Sequence, residues 1–218
     1  VIGDIGATAS GLARRLSRRL GRQSHMLEMR QTILSRIADR ADEDRFPVTP
    51  QRLVRDVRAV MPEDGIVCLD NGMYKIWFAR YYRAHEPNSL LLDNALASMG
   101  AGLPSAIATK IVHPDRKVMA VCGDGGFMMN SQELETAVRL GLDLVVLVLN
   151  DAAYGMIRWK QDQLGFPDYG LTFSNPDFVT YAQSYGATGH RVERSADLVS
   201  VLNAAFEAGG VHLVDLPV

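Results

Sequence analysis

The run Val118-Met-Ala-Val-Cys-Gly-Asp-Gly-Gly126 joins an apolar segment directly to a glycine-rich turn. The apolar residues predict a β-strand that is buried on both faces, because no polar side chain interrupts them. The glycines predict a turn in which the backbone approaches a ligand closely and directs its N–H groups at an anion. Such a turn is common by itself, so its meaning depends on the segments around it.

Similar apolar segments recur on both sides of this run, at residues 66–69, 90–92, 144–149 and 211–216. The segments between them carry helix signals. One helix is predicted to start at Thr49-Pro50, and another to start at Asn175-Pro176 and to end at Gly186. This alternation predicts a doubly wound α/β fold, with a mainly parallel six-stranded sheet and helices on both faces.

The first 46 residues have a different character and are predicted to be the tail of a preceding domain plus a linker, with the main domain at residues 47–218. Residues 1–5 are interpreted as a strand end, and residues 11–20 as a basic helix. This helix and its immediate continuation place five arginines on one face, which is interpreted as a solvated or inter-domain surface: Arg14, Arg15, Arg18, Arg19 and Arg22. The chain has no initial Met and stops just after an apolar strand, so we expect a piece of a longer protein.

Composition narrows the class of protein. A net charge of -2 argues against nucleic acid as the main partner. Cys68 and Cys122 both lie in apolar runs, which predicts buried thiols in a reducing compartment. No apolar run reaches the roughly 18–20 residues of a membrane span. With no signal peptide in the sequence, a cytoplasmic protein without a membrane partner is expected.

Two acidic residues follow neighbouring predicted strands. Asp124 comes after the strand that ends at Cys122, and Asp151 comes after the strand that ends at Leu149. Two carboxylates at one edge of a sheet repel each other, and a divalent cation relieves that repulsion. Mg²⁺ takes six oxygen ligands, which two aspartates, a backbone carbonyl, two phosphate oxygens and a water would supply. For the pair alone, two solvated aspartates remain the alternative.

The residues around Asp124 and Asp151 resemble the signature of a known family. Gly123-Asp124-Gly125 followed by Asn150-Asp151 resembles the signature of thiamine diphosphate enzymes. Three further segments are similar to acetolactate synthase: residues 93–105, 126–135 and 154–157. The resemblance covers roughly residues 47–218. Asp151 stands where most of the superfamily has Asn, which resembles the catabolic, FAD-free acetolactate synthases more than the biosynthetic ones.

The resemblance implies roles for individual residues. Asp124 and Asp151 are implied to bind Mg²⁺ through their side chains, and Ala153 through its main-chain carbonyl. Met99 is implied to wedge thiamine diphosphate into its bent form, although a core methionine is the alternative. The diphosphate site is implied to include nine further residues: Gly72, Met73, Tyr74, Gly123, Gly125, Gly126, Tyr154, Gly155 and Met156.

The resemblance also implies an activity for the parent enzyme: it condenses two pyruvates to 2-acetolactate with loss of CO₂, as a homodimer or homotetramer. The glutamate that activates the cofactor belongs to a domain not present here, so no catalytic residue is expected in this chain and the chain alone is expected to be inactive. Either Trp159 or Lys160 could stand where a Trp sets acceptor preference. The alternatives are another thiamine diphosphate 2-keto acid decarboxylase or carboligase, or a non-catalytic cofactor-binding module.

Overall fold

The computed structural model describes residues 3–16, 21 and 23–218. Two compact units are present, Val1–Ala38 and Asp39–Val218. The predicted domain boundary near residue 46 stays a prediction. In the first unit, the helices α1 (Ile5–Arg15) and α2 (Gln23–Ala38) bury no described side chain. The carboxylate of Asp4 caps α1 by accepting a hydrogen bond from the Ala7 N–H at 2.7 Å.

The prediction of a strand end at residues 1–5 is wrong where the structure describes it, because Ile5 begins a helix. The predicted basic helix begins earlier than expected and is described only to Arg15. Arg14 and Arg15 lie exposed in its last turn. The remaining members of the predicted arginine face, Arg18, Arg19 and Arg22, lie outside the described residues.

The second unit alternates strands and helices, as the sequence predicts. Its strands are β1 (Ile66–Leu69), β2 (Leu90–Leu92), β3 (Val118–Gly123), β4 (Leu144–Asn150), β5 (Thr188–Arg191) and β6 (Val211–Pro217). Its helices are α3 (Pro50–Val60), α4 (Met73–Tyr81), α5 (Gly102–Val112), α6 (Asp124–Phe127), α7 (Glu133–Arg139), α8 (Gly155–Gln163), α9 (Phe178–Ser184) and α10 (Leu198–Ala208).

The strands form one sheet in the order β2-β1-β3-β4-β6-β5, and every neighbouring pair is parallel. The chain leaves β1 toward the edge strand β2, then crosses back to β3 on the other side of β1. The strand order therefore reverses between β1 and β3. In open parallel sheets, ligands bind beyond the carboxyl ends of the strands at such a switch point.

Two apolar cores cover the two faces of the sheet. One includes Leu53 and Phe78, and the other includes Leu103 and Phe178. The burial of one such side chain contributes about 1.5–3 kcal/mol relative to its exposure. This explains why both faces of the central strands are apolar. No helix in the described ranges is both long and apolar enough to cross a membrane.

The two helix starts that the sequence predicts from capping residues had different outcomes. Thr49 caps α3 as predicted, with its hydroxyl accepting a hydrogen bond from the Arg52 N–H at 3.4 Å. The helix predicted to start at Asn175-Pro176 instead begins at Phe178, because Asp177 provides the cap and accepts a hydrogen bond from the Thr180 N–H at 2.8 Å. The Asn175 side chain does not cap the helix and instead donates a hydrogen bond to Asp124.

Candidate functional site

A cleft with about 500 Å³ of empty space, part of it open solvent, lies at the switch point. Its walls come from the loops that follow β1, β3 and β4, together with Met99 from the segment before α5. The cleft brings together all thirteen residues that the sequence singled out as a cofactor site: Gly72, Met73, Tyr74, Met99, Gly123, Asp124, Gly125, Gly126, Asp151, Ala153, Tyr154, Gly155 and Met156. The sequence did not identify five further lining residues: Asn71, Trp77, Leu149, Ile157 and Val218.

Asp124 is the deepest charged group of the cleft, with only 1% of the residue exposed. It begins the short helix α6 directly after β3. Its Oδ2 accepts hydrogen bonds from the Ala152 N–H at 2.7 Å and from the Asn175 Nδ2 at 2.6 Å. Its Oδ1 accepts one hydrogen bond, from the Gly125 N–H at 2.8 Å, and retains capacity for a further partner. These donors stabilise a carboxylate that would otherwise be costly to bury.

Asp151 lies beside Asp124, because the strands β3 and β4 that precede them are neighbours. Its carboxyl is more exposed, yet its pKa rises to about 6. The first cause is partial loss of contact with water, and the second is the negative charge of Asp124. This part of the site concentrates negative charge.

The turn after Asp151 contains Ala153, which lines the cleft. Ala152 takes a left-handed conformation with φ of 51°, which directs its N–H at Asp124. Ala153 then forms an isolated antiparallel bridge with Thr172. The flanking groups make the hydrogen bonds of that bridge, Tyr154 N–H to the Leu171 carbonyl and Phe173 N–H to the Ala152 carbonyl. No donor among the described residues bonds the Ala153 carbonyl oxygen.

The glycines of the cleft are required by the protein's own packing. A Cβ atom on Gly126 would lie 2.7 Å from the Asp70 Oδ2, and one on Gly155 would lie 2.7 Å from the Asp151 Oδ2. A Cβ on Gly72 would collide with the Tyr74 ring at 2.3 Å. The sequence predicts that glycines here leave room for a ligand. In the structure, glycine also leaves room for the side chains that shape the walls.

Tyr74 presents an orphaned polar atom. Its ring packs in the core and its hydroxyl is buried, with no hydrogen-bond partner among the described residues. Burial raises the pKa of this phenol well above its ordinary value, and the negative charge of Asp70 adds to the effect. The group is therefore a neutral O–H donor in the cleft wall. A buried donor without an acceptor is costly and favours an acceptor supplied from outside the chain.

Asp70 holds the segment that contains Met99 in place through hydrogen bonds. Both of its carboxylate oxygens accept the Gly100 N–H, at 2.9 and 3.0 Å, and Oδ1 also accepts the Asn71 N–H at 2.6 Å. Asn71 in turn donates to the Ser98 carbonyl at 2.8 Å. Burial raises the pKa of Asp70. These bonds fix Met99, half-buried, in the wall of the cleft.

The charge of the cleft is one-sided. Among the described residues that line it, Asp124 and Asp151 are the charged side chains, and none is Lys, Arg or His. Groups of three or more His, Cys, Asp and Glu side chains suited to a metal ion do not occur in the described ranges. Any metal held here would therefore depend on two carboxylates and neutral oxygens. Trp159 and Lys160 do not line this cleft.

Comparison with known proteins gives a consistent family. Residues 70–216 match the family described as "Thiamine pyrophosphate enzyme, C-terminal TPP binding domain". The chain is 40% identical over 169 residues to "Acetolactate synthase" of Bacillus subtilis (strain 168), covering 78% of this chain and 30% of that protein. It is 35% identical to "Acetolactate synthase, catabolic" of Raoultella terrigena over 222 residues, covering 100% of this chain and 40% of that protein.

A solved structure supports the fold. "Rhodococcus jostii RHA1 thiamine diphosphate-dependent 4-hydroxybenzoylformate decarboxylase" superposes with a TM-score of 0.74 at 27% identity. The match covers 78% of this chain and 32% of that structure. Against the two acetolactate synthases above, the chain spans 30% and 40% of their length.

Proposed function

The chain belongs to the thiamine pyrophosphate enzymes, as their C-terminal cofactor-binding domain, and from that premise we propose that its cleft holds the diphosphate of thiamine diphosphate through Mg²⁺ in an acetolactate synthase. The observation that carries this proposal is the charge of the cleft. Its charged lining residues within the described chain are two carboxylates. A diphosphate binds beside two carboxylates only if a cation lies between them, and Mg²⁺ prefers such shared oxygen sites.

The proposed protein ligands are the carboxylates of Asp124 and Asp151 and the carbonyl of Ala153. Three features support this set. Asp124 Oδ1 accepts a single hydrogen bond, partial burial and then the charge of Asp124 raise the pKa of Asp151, and no described donor occupies the Ala153 carbonyl. All three are hard oxygen donors, which suits Mg²⁺ better than a soft transition metal.

The proposed diphosphate contacts come from two helix N-termini. Helix α4 begins at Met73 and α8 begins at Gly155, and both residues line the cleft. The first N–H groups of a helix have no partner inside the helix, and the helix dipole favours an anion beside them. The Tyr74 hydroxyl adds a buried O–H without an acceptor. These neutral donors would bind the anion while the cation offsets the carboxylates.

The role proposed for this chain is anchoring and orientation. Thiamine diphosphate, when bound, supplies the stabilisation of a carbanion that amino-acid side chains do not provide. Met99, held by the loop that Asp70 ties down, would support the middle of the cofactor in its bent form. No residue of this chain is proposed to be catalytic, because the activating glutamate is expected in a pyrimidine-binding domain of a neighbouring subunit.

For the whole enzyme we propose condensation of two pyruvates to 2-acetolactate with loss of CO₂, in a homodimer or homotetramer. Similarity to acetolactate synthases from Bacillus subtilis and Raoultella terrigena supports this activity. The division into residues 1–46, as the tail of a preceding domain, and 47–218 belongs to the same proposal. A cytoplasmic location is supported by Cys68 and Cys122, which are both free and buried.

Calorimetric titration of the full-length protein with thiamine diphosphate, with and without Mg²⁺, tests the proposal. Binding is expected only with Mg²⁺. Substitution of a group that hydrogen-bonds a metal ligand typically weakens binding roughly 10–100-fold. Asp124→Ala removes a proposed ligand itself and should weaken cofactor binding by more than that. Asp151→Asn keeps a ligand oxygen and should stay within about tenfold of wild type. Asp64→Ala, at an exposed carboxylate before β1, is the matched control. Binding that is absent in a folded protein, or indifferent to Asp124→Ala, would refute the proposal.

Product analysis separates the proposed activity from its nearest rival. The similarity to a thiamine diphosphate-dependent decarboxylase favours simple decarboxylation as the second candidate. With pyruvate as the substrate, acetolactate supports the carboligase and acetaldehyde supports the decarboxylase. The purified 218-residue chain should give neither product. Turnover by that chain would contradict the proposed absence of a catalytic residue.

A further inference from the structure

A directed series of hydrogen bonds runs from Asp124 across the carboxyl ends of β4 and β6. Asn175 Nδ2 donates to Asp124 Oδ2 at 2.6 Å and to Asn150 Oδ1 at 3.0 Å. Asn150 Nδ2 donates to Asp215 Oδ1 at 3.0 Å, and Asp215 Oδ2 accepts from Arg191 Nε at 3.1 Å. The series links the deepest carboxylate of the cleft to the last two strands of the sheet.

The orientation of both amides is set by the groups at the two ends. An ionised carboxylate accepts hydrogen bonds and an arginine only donates them. Asp215 therefore requires the NH₂ group of Asn150 on its side, which directs the Asn150 oxygen at Asn175. Asn175 is then bordered by two acceptors, Asn150 Oδ1 and Asp124 Oδ2, and must present its NH₂ group to both. Asp215 is 1% exposed, so this member of the series is as buried as Asp124.

Asn175 differs from the other donors to Asp124. The N–H groups of Gly125 and Ala152 belong to the main chain of the two ligand-bearing turns themselves. Asn175 is the side-chain donor, and it comes from the segment before α9, outside both turns. Together with Ala152 it occupies Oδ2. Oδ1 is left as the carboxylate oxygen with capacity for a cation.

We propose that Asn175 is a positioning residue for the cation site: it holds Asp124 by Oδ2 so that Oδ1 stays available as a ligand. The series of hydrogen bonds through Asn150 and Asp215 fixes the orientation of the Asn175 amide. The inference rests on the proposed function, since it assigns a role toward the same cation. Groups behind a metal ligand orient that ligand, and their loss typically costs about 10–100-fold in metal affinity.

The test measures the Mg²⁺ concentration that gives half-maximal thiamine diphosphate binding to the full-length protein. Asn175→Leu keeps the approximate volume and removes the donor, and Asn175→Ala replaces it if the leucine variant fails to fold. A shift to at least about tenfold higher Mg²⁺ is expected. Gln183→Leu, the same change at an exposed amide on α9, serves as the matched control, with no shift expected. Urea unfolding without cofactor identifies the conditions in which each variant is folded.

A double-mutant cycle with Asp124→Asn separates positioning from general structural support. If Asn175 acts through Asp124, Asn175→Leu adds little once Asp124 is changed, so the two shifts are not additive. Additive shifts, or a shift below about threefold in folded Asn175→Leu, would overturn the inference while the wild type still binds. If the wild type shows no Mg²⁺-dependent binding, the proposed function fails first and this inference fails with it.

Discussion

The Tyr154 ring lies in the space that a Cβ atom on Gly125 would need, with its Cε1 only 2.7 Å from that position. The ring also packs against Phe173, at 4.8 Å between centroids. This contact connects the turn after β3 to the turn after β4. The glycine is thus needed to bring the two turns of the proposed cation site together.

Gly125→Ala should therefore displace Tyr154 and weaken cofactor binding. We expect a loss of about tenfold in thiamine diphosphate affinity and about 1–3 kcal/mol in unfolding free energy, the usual range for an overpacked position. Gly189→Ala is the matched control, because its Cβ would lie 2.5 Å from the Val179 carbonyl oxygen, away from the cleft. Urea unfolding and calorimetry should show lost stability in both variants and lost affinity in the first alone. If Gly125→Ala and Gly189→Ala bind thiamine diphosphate with equal affinity, Gly125 does not have this role.

Tyr74→Phe tests whether the Tyr74 hydroxyl donates a hydrogen bond to the bound cofactor. Without cofactor, removal of a buried hydroxyl with no described partner should leave the unfolding free energy unchanged or raise it by about 1 kcal/mol. With cofactor, loss of a hydrogen bond of about 1 kcal/mol corresponds to about fivefold weaker binding. Urea unfolding and calorimetric titration measure the two effects.

Tyr82→Phe provides the comparison for that experiment. The Tyr82 hydroxyl accepts a hydrogen bond from Arg58 Nη1 at 2.8 Å. Its loss should lower the unfolding free energy by about 1 kcal/mol and leave cofactor affinity unchanged. If Tyr74→Phe behaves like Tyr82→Phe, the Tyr74 hydroxyl has no role toward the cofactor.

The central strands and the residues at their ends could be predicted from the sequence for one physical reason. A parallel strand covered on both faces is mostly apolar, and for β3 and β4 the first polar residue marks the carboxyl end. Asp124 and Asp151 follow such runs, and parallel pairing of β3 and β4 places both at the same edge. The same logic fails for β5, a half-exposed edge strand with the sequence Thr-Gly-His-Arg that contains no apolar run.

The contacts of Asn175 and Asp70 could not be predicted because they depend on tertiary structure. Asn175-Pro176 has the pattern of a helix start, and only the fold reveals that Asp177 takes the cap and leaves Asn175 to reach Asp124. Asp70 directly follows the apolar run at residues 66–69, a position that indicates only a turn after a strand. Its bonds to Gly100 cross 30 positions of the chain, and no local pattern encodes such a pairing.

The cap of α9 should contribute stability that depends on pH. The pKa of Asp177 is lowered, first by the hydrogen bond from the Thr180 N–H and then by the Arg191 guanidinium at 2.8 Å. A carboxylate whose pKa is depressed by folding stabilises the protein fully above its ordinary pKa, and this contribution disappears as the pH falls through the lowered value. Asp177→Asn keeps an acceptor for Thr180 and loses the charge.

Asp177→Asn should therefore be less stable than wild type at pH 7, and the two proteins should converge as the pH falls below the ordinary range of an aspartate. Urea unfolding at a series of pH values from 7 downward measures this difference. Asp115→Asn, in an exposed turn away from α9, is the matched control for the loss of one aspartate charge. A difference for Asp177→Asn that stays constant or grows toward acid would mean that the ionised carboxylate does not stabilise the start of α9.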